Sequence, residues 1–214
     1  MSFLSMGTVY GTLMNFPAEH AALAAQMTEP PYKASPKAPI LYIKTANTRS
    51  AAGAAISVPA HVPQVEVWAS IAMVMQAPGE LAGYLLVNDL TVPHTSFYRP
   101  PVKSKCLDGF LGVGSQLLAP GPQVDPAQFK LEVRINGELR QTVDFSQLLR
   151  SAPQLLAEVG EFTSLGAGDL LMLGSDVLAG GGRPLARPGD NIEISAPGLG
   201  SLANTLVAAT GAST

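Results

Sequence analysis

The stretch "FKLEVRINGELRQTVDF", residues 129–145, decides the fold class. Two alternating runs flank Asn136-Gly137, a dipeptide suited to the two positive-φ positions of a type I′ turn, so a β-hairpin is expected. Strand signals recur on both sides. "MGTVYGTLM" (6–14) reads as a strand, and "ILYIK" (40–44) as another that ends on Lys44. "HVPQVEVWASIAMVM" (61–75) alternates and then becomes continuously apolar, as a strand does when it leaves an edge for a buried position. After a tight "QAPGE" turn, "LAGYLLVND" (81–89) has a start that suits a helix and an end that suits a strand. "GDLLMLGS" (168–175) and "GDNIEISAPGLGSLANTLV" (189–207) read as strands introduced by Gly-Asp turns.

Helix is confined to short pieces. "PAEHAALAAQM" (17–27) has Pro17 in its first turn and good helix formers behind it. "FSQLLRSAPQLLAEVGEF" (145–162) has helical periodicity, which Pro153 is expected to interrupt. Between the first helix and Ile40, "TEPPYKASPKAP" carries four prolines and reads as an extended loop. No internal repeat or composition shift divides the chain. The expected architecture is α+β and mainly β, a single domain over residues 1–214.

Composition narrows the function classes. The chain has 214 residues, 47% of them hydrophobic and only 14% charged, with 21 Gly and 18 Pro. Such a sequence is expected to fold, and to bury some surface against another subunit. A net charge of −3 without a basic run argues against nucleic-acid binding. No stretch approaches a membrane span, and "MSFLSMGTVYGTLMNF" makes a poor signal peptide. With Cys106 the only cysteine, an intrachain disulfide is impossible, which fits a reducing cytoplasm. A soluble, cytoplasmic protein is the expectation.

The densest chemistry lies in "VNDLTVPHTSFYRPPVKSKCLDGF", residues 87–110. Asn88-Asp89 closes an apolar run, where polar groups can face a cavity from a rigid element or can form an Asx turn. Arg99, Lys103 and Lys105 add positive charge, and Arg99 can grip a carboxylate through two parallel hydrogen bonds. A pocket lined this way would take an anionic organic acid. His20, His61 and His94 share no metal-ligand spacing, and Cys106 has no oriented base, so each reads as structural. Phosphate-loop, dinucleotide, zinc-protease and nucleophile-elbow signatures are missing.

"LYIKTANT" (41–48), "AGYLLVNDLT" (82–91), "KSKCLDGF" (103–110), "INGELRQ" (135–141), "LGAGDLLMLGS" (165–175) and "RPGDNIEI" (187–194) come in an order that resembles the fumarylacetoacetate hydrolase family. "PYKASPK", "SFYRPPVKSKCLDGF" and the chain length are most similar to one branch of it. That branch is the N-terminal half, or separate N-terminal subunit, of isomerase/decarboxylases of 4-hydroxyphenylacetate (homoprotocatechuate) degradation. The resemblance implies a mixed β-roll, dimeric or built from dimers, that acts on oxo- and hydroxy-dicarboxylates with Mg²⁺ or Mn²⁺. For this branch it implies decarboxylation of 5-oxopent-3-ene-1,2,5-tricarboxylate and isomerisation of 2-hydroxyhepta-2,4-diene-1,7-dioate through an enolate.

Carried over residue by residue, the resemblance implies Lys105, Lys44 and His20 for catalysis. It implies Asn88, Tyr98, Arg99, Asp108 and Ser175 for substrate, and Asp89 for the metal. The family's two metal-binding glutamates fall on Trp68 and Ser70. A shift of two residues brings Glu66 into the first position and leaves Trp68 in the second, so at most two carboxylates remain. Leu23 stands where the catalytic glutamate is expected, and Gly174-Ser175-Asp176 replaces a carboxylate-binding Gly-Thr-Pro. Two partnerships stay open. The chain is an enzyme subunit, as a homodimer or beside a homologous metal-bearing chain, or it is a catalytically reduced scaffold for such a chain.

Overall fold

The structure, a computed structural model, describes residues 7–30, 33–94 and 101–209. Its strands are β1 (Val9–Leu13), β2 (Ile40–Lys44), β3 (Arg49–Ala51), β4 (Ala55–Val58), β5 (Val65–Ala77), β6 (Glu80–Thr91) and β7 (Leu111–Val113). They continue as β8 (Lys130–Ile135), β9 (Glu138–Asp144), β10 (Leu170–Met172), β11 (Leu185–Ala186), β12 (Asn191–Ala196) and β13 (Gly200–Ala208). The helices are α1 (Pro17–Leu23), α2 (Val102–Lys105) and α3 (Ala152–Gly160). One sheet runs β2-β1-β10-β5-β6-β7-β3, with β11 also paired to β5, and the second runs β4-β13-β12-β8-β9. The fold is α+β and mainly β, with both parallel and antiparallel pairs.

The deciding hairpin forms as expected. Asn136 and Gly137 have φ of 53° and 82°, so β8 and β9 pair through a tight turn with both central residues left-handed. Strands at 40–44 and within 6–14, 168–175 and 189–207 also form. "LAGYLLVND" differs from expectation at its start, where β6 is strand throughout. Leu86 and Leu90 pack into one apolar cluster and Leu85 and Val87 into another on the opposite face, so both faces are covered and its apolar run needs no alternation. Pro153 starts α3 instead of interrupting it. It occupies the first turn, where its missing N–H costs nothing, and Ser151 caps the helix by accepting from the Gln154 amide at 3.4 Å.

Strand alternation on β5 separates two environments. Val65, Val67, Ala69, Ile71, Met73 and Met75 face the main core with Leu131, Val133, Ile192, Ile194 and Leu155. The other face of the same strand carries Ala72 and Val74, which pack with Val9, Tyr42, Leu85, Val87, Leu111, Leu170 and Met172. Farther along that second face come Ser70, Trp68 and Glu66. The site therefore lies where the apolar surface of one sheet face runs out.

Close backbone approach shapes this face. Gly11 pairs with Tyr42 across β1 and β2, and the phenol ring lies over the glycine. A methyl group on Gly11 would stand 2.0 Å from the tyrosine Cζ. Replacing Gly11 with Ala is therefore expected to cost about 1–3 kcal/mol by overpacking. Thermal unfolding followed by circular dichroism would show the lowered midpoint, and an unchanged midpoint would contradict the packing described.

Candidate active site

Asp89 on β6 stands directly opposite Trp68 on β5, so both side chains leave the sheet on the same face. Asp89 is 0% exposed. A buried carboxylate is stable as an anion only when its charge and lone pairs are met locally. Here the Lys44 Nζ lies 2.7 Å from Oδ1, the Lys105 Nζ lies 3.2 Å from Oδ2, and the Tyr42 hydroxyl donates to Oδ2. Burial pushes the Asp89 pKa up, but the two ammonium groups and the phenol outweigh it and hold it below the usual carboxylate value. The Tyr42 phenol moves well above its usual range, first because it is buried and then because Asp89 faces it.

The two lysines do different work. Lys44, at the end of β2, also donates to the carbonyl oxygens of Lys105, Phe110 (3.0 Å) and Leu90 (3.3 Å). An ammonium has three donors, and this one has protein acceptors for all of them. It clamps β2 to the chain around α2. Lys105 reaches inward because α2 folds back on β6, with the Val92 amide donating to the Ser104 carbonyl at 2.9 Å. Its Nζ donates to Thr91 Oγ1 at 2.7 Å and stands 3.5 Å from the Trp68 ring centroid and 4.3 Å from that of Tyr42. Burial, opposed by Asp89 and reinforced by Lys44 and Arg183, lowers its pKa to about 7.

A third buried cation, Arg183, completes the cluster. The Arg183 guanidinium lies 3.3 Å from the Trp68 ring centroid. It donates to Glu19 Oε1 at 2.7 Å, to the Ser175 carbonyl at 2.9 Å and to Ser175 Oγ at 3.3 Å. Glu19 projects from α1 and is 2% exposed, with its other oxygen accepting the Met14 amide at 2.7 Å. Burial raises the Glu19 pKa despite Arg183. Three glycines, Gly180, Gly181 and Gly182, turn the chain so that Arg183 returns beside Ser175, closed by hydrogen bonds between Leu178 and the turn.

These side chains do not make a cage for a divalent ion. Mg²⁺ and Mn²⁺ need about six oxygen ligands in regular geometry. Beside Asp89 stand an indole and two ammonium groups. The Ser70 hydroxyl is turned to the Gly174 carbonyl at 2.5 Å, and the Glu66 carboxylate accepts from Trp68 Nε1 at 2.7 Å. Among the described residues no cluster of three or more His, Cys, Asp or Glu side chains exists.

Residues 8–207 match the model of the fumarylacetoacetate hydrolase C-terminal family. The chain belongs to the fumarylacetoacetate hydrolase family. It is 35% identical over 212 residues to the 4-hydroxyphenylacetate degradation bifunctional isomerase/decarboxylase of Salmonella dublin, covering 94% of this chain and 47% of that protein. It spans about half the length of the curated relatives it matches. Among solved structures it is similar to the 5-carboxymethyl-2-hydroxymuconate delta-isomerase of Mycobacterium smegmatis, with a TM-score of 0.77 and 21% identity over 96% of this chain and 80% of that one. The fumarylpyruvate hydrolase of Pseudomonas aeruginosa, solved with Mn²⁺ and pyruvate, gives 0.77 and 19% over 95% and 90%. These two likenesses show the fold.

Against the fumarylacetoacetate hydrolase pattern, the expected residues scatter. Lys44, Asp89 and Lys105 meet as described, and Ser175 lies on Arg183. Glu66 shares their face but is tied to the indole. Asn88 does not join them. It neighbours Asp89 in sequence and so points to the opposite face of β6, where its Nδ2 donates to Asn204 Oδ1 at 3.3 Å between the sheets. His20 faces out from α1 and bonds to Ser35 Oγ at 3.1 Å, while its neighbour Glu19 enters the cluster. Asp108 is exposed and accepts from Asn47 Nδ2 at 2.6 Å, which fixes a loop. Cys106 donates to the Ile43 carbonyl at 3.3 Å. Tyr98 and Arg99 lie outside the described residues. Sequence reasoning missed Glu19 and Arg183, although the run of glycines before Arg183 signalled a tight return.

The depressed amine gives a pH signature. The folded state releases the Lys105 proton near pH 7, whereas an unfolded lysine holds it to about 10.4. Between those values the unfolded state binds more protons, so the Lys105 contribution to stability rises with pH across this window. Carbon-13 resonances of labelled lysines should show one group titrating near pH 7 that is absent from Lys105→Met. The stability difference, wild type minus variant, should grow from pH 7 to 10, and a flat difference would contradict the burial of a strained ammonium.

Proposed function

We propose that this chain is one subunit of an isomerase/decarboxylase of 4-hydroxyphenylacetate (homoprotocatechuate) catabolism. Its substrates would be 5-oxopent-3-ene-1,2,5-tricarboxylate and 2-hydroxyhepta-2,4-diene-1,7-dioate. The observation that carries this reading is the joint burial of Lys105, Asp89 and Tyr42 in a chain 31–35% identical to half of bifunctional enzymes of that pathway. Both reactions share one chemical need. Loss of CO₂ breaks a C–C bond and leaves its electron pair as an enolate, and ketonisation passes through the same kind of anion before a proton is added to carbon. A fixed positive charge in a dry site stabilises that oxyanion strongly.

In this chain the charge would come from Lys105. An amine with a pKa of about 7 is present in both forms at neutral pH, so it can stabilise an enolate oxygen as the ammonium and return a proton afterwards. Asp89 and Thr91 would orient it, and Tyr42 and Trp68 would exclude water. No divalent ion is assigned to this subunit, because Lys44 and Lys105 already neutralise Asp89. The partner would be a second chain of the same fold, either another copy or a homologue that keeps its metal ligands.

A second reading is favoured by one observation. Both ammonium groups are enclosed, with Lys105 1% exposed. That suits a catalytically reduced subunit that supports a metal-bearing partner. One experiment separates the two. Turnover of both substrates is followed spectroscopically for the chain alone and mixed with its metal-bearing homologue, using wild type and Lys105→Met. The enzymatic reading predicts a rate loss of roughly 10²–10³ in the variant with assembly intact. Equal rates with intact assembly would leave the supporting role.

A further inference from the structure

We infer that Arg183 is the anchor for a substrate carboxylate, and that Glu19 occupies this anchor as an internal carboxylate until the substrate displaces it. The inference rests on the carboxylate-substrate reading above and adds the residues that would recognise it. Several observations converge on Arg183. Lys44 has protein acceptors for every donor, and Lys105 is held by Asp89, Thr91 and the Trp68 ring. Arg183, though only 8% exposed, also lines a groove of about 570 Å³. Arg140 and Arg187 line the same groove with Asp190 as its one acid, so its charged residues are mainly cationic, set among apolar ones such as Ile135 and Leu185. Of the three cations packed around Asp89 and Trp68, Arg183 is the one that lines this groove.

The bonding around Arg183 matches the recognition of a carboxylate. A guanidinium presents a planar fork of donors, and it already holds one carboxylate oxygen, from Glu19, at 2.7 Å. Ser175 stands on the same fork, with its hydroxyl free to donate to an anion while its oxygen accepts from Arg183 Nε at 3.3 Å. The charge of the neighbouring Asp176 is turned elsewhere, since its Oδ1 accepts its successor's amide at 2.8 Å. The Trp68 ring lies against the guanidinium, with Cζ 3.3 Å from the ring centroid, a favourable cation–π contact. Glu19 is the weak member of the arrangement. Its carboxyl is 2% exposed and burial raises its pKa, so it can take up a proton and leave Arg183 as the neutral acid, and a substrate carboxylate then restores the charge balance. Its second oxygen keeps the Met14 amide, a bond that Gln can also make.

The test is calorimetric binding of tricarballylate, a saturated tricarboxylate, at low ionic strength. Wild type is expected to bind saturably. Arg183→Gln is expected to bind roughly ten- to a hundredfold more weakly, the effect of one charged hydrogen-bonded contact, with Arg183→Lys in between. Glu19→Gln removes the competitor but keeps an acceptor for Met14, so it is expected to bind several-fold more tightly. A purely structural ion pair moves neither affinity, although both variants would melt earlier. Equal affinity in wild type and folded Arg183→Gln would overturn the anchor and leave the carboxylate reading standing. Should Arg183→Gln fail to fold, an unchanged affinity in Glu19→Gln would overturn the proposal. No binding by wild type would overturn both.

Discussion

One buried charge governs the rest of the structure. Asp89 is carried into the sheet by a twelve-residue strand, where water cannot reach it. Taking an isolated carboxylate out of water costs several kcal/mol even after relaxation. The chain answers with Tyr42 and Lys44 from β2 and Lys105 from α2, so one charge fixes β2, α2 and β6 together. Deleting one member of such a network costs on the order of 3–5 kcal/mol, because the remaining charges stay buried without a partner. Gly11 belongs to the same logic, since only a bare backbone leaves room for the Tyr42 ring that delivers the hydroxyl.

The cluster also divides labour among its cations. Lys44 is spent on carbonyl oxygens and binds elements to one another. Lys105 is held between an acid and an aromatic face, where burial lowers its proton affinity. Arg183 sits beside the same indole and is also one of the residues that line a groove. Trp68 is common to both and fills the volume between them. In this way one indole organises two of the three cations around Asp89.

Much of this was legible in the sequence where one local rule dominated. Asn136-Gly137 fixed a hairpin, and "ILYIK" marked β2 at both ends. The alternation that puts Glu66, Trp68 and Ser70 on one face was also readable, because β5 pairs with β6 without a register shift from Glu66 to Val74. Other features depended on tertiary context. β3, β4, β7 and β11 have two to four residues each and exist only because a neighbour pairs with them. Asn88 was grouped with Asp89 because they are adjacent, whereas strand geometry sends them to opposite faces. His20 came from the family resemblance, but the rotation of α1 turns its neighbour Glu19 into the cluster. Arg183 lies in a loop, and no periodic pattern points to it.

The most direct test of the account is a calorimetric titration of Mn²⁺ and Mg²⁺ into the purified chain and into Asp89→Ala. If Lys44 and Lys105 neutralise Asp89 within the chain, neither ion gives saturable binding that depends on Asp89. Saturable binding by wild type that disappears in Asp89→Ala would contradict it, because a divalent ion would then be displacing the lysines.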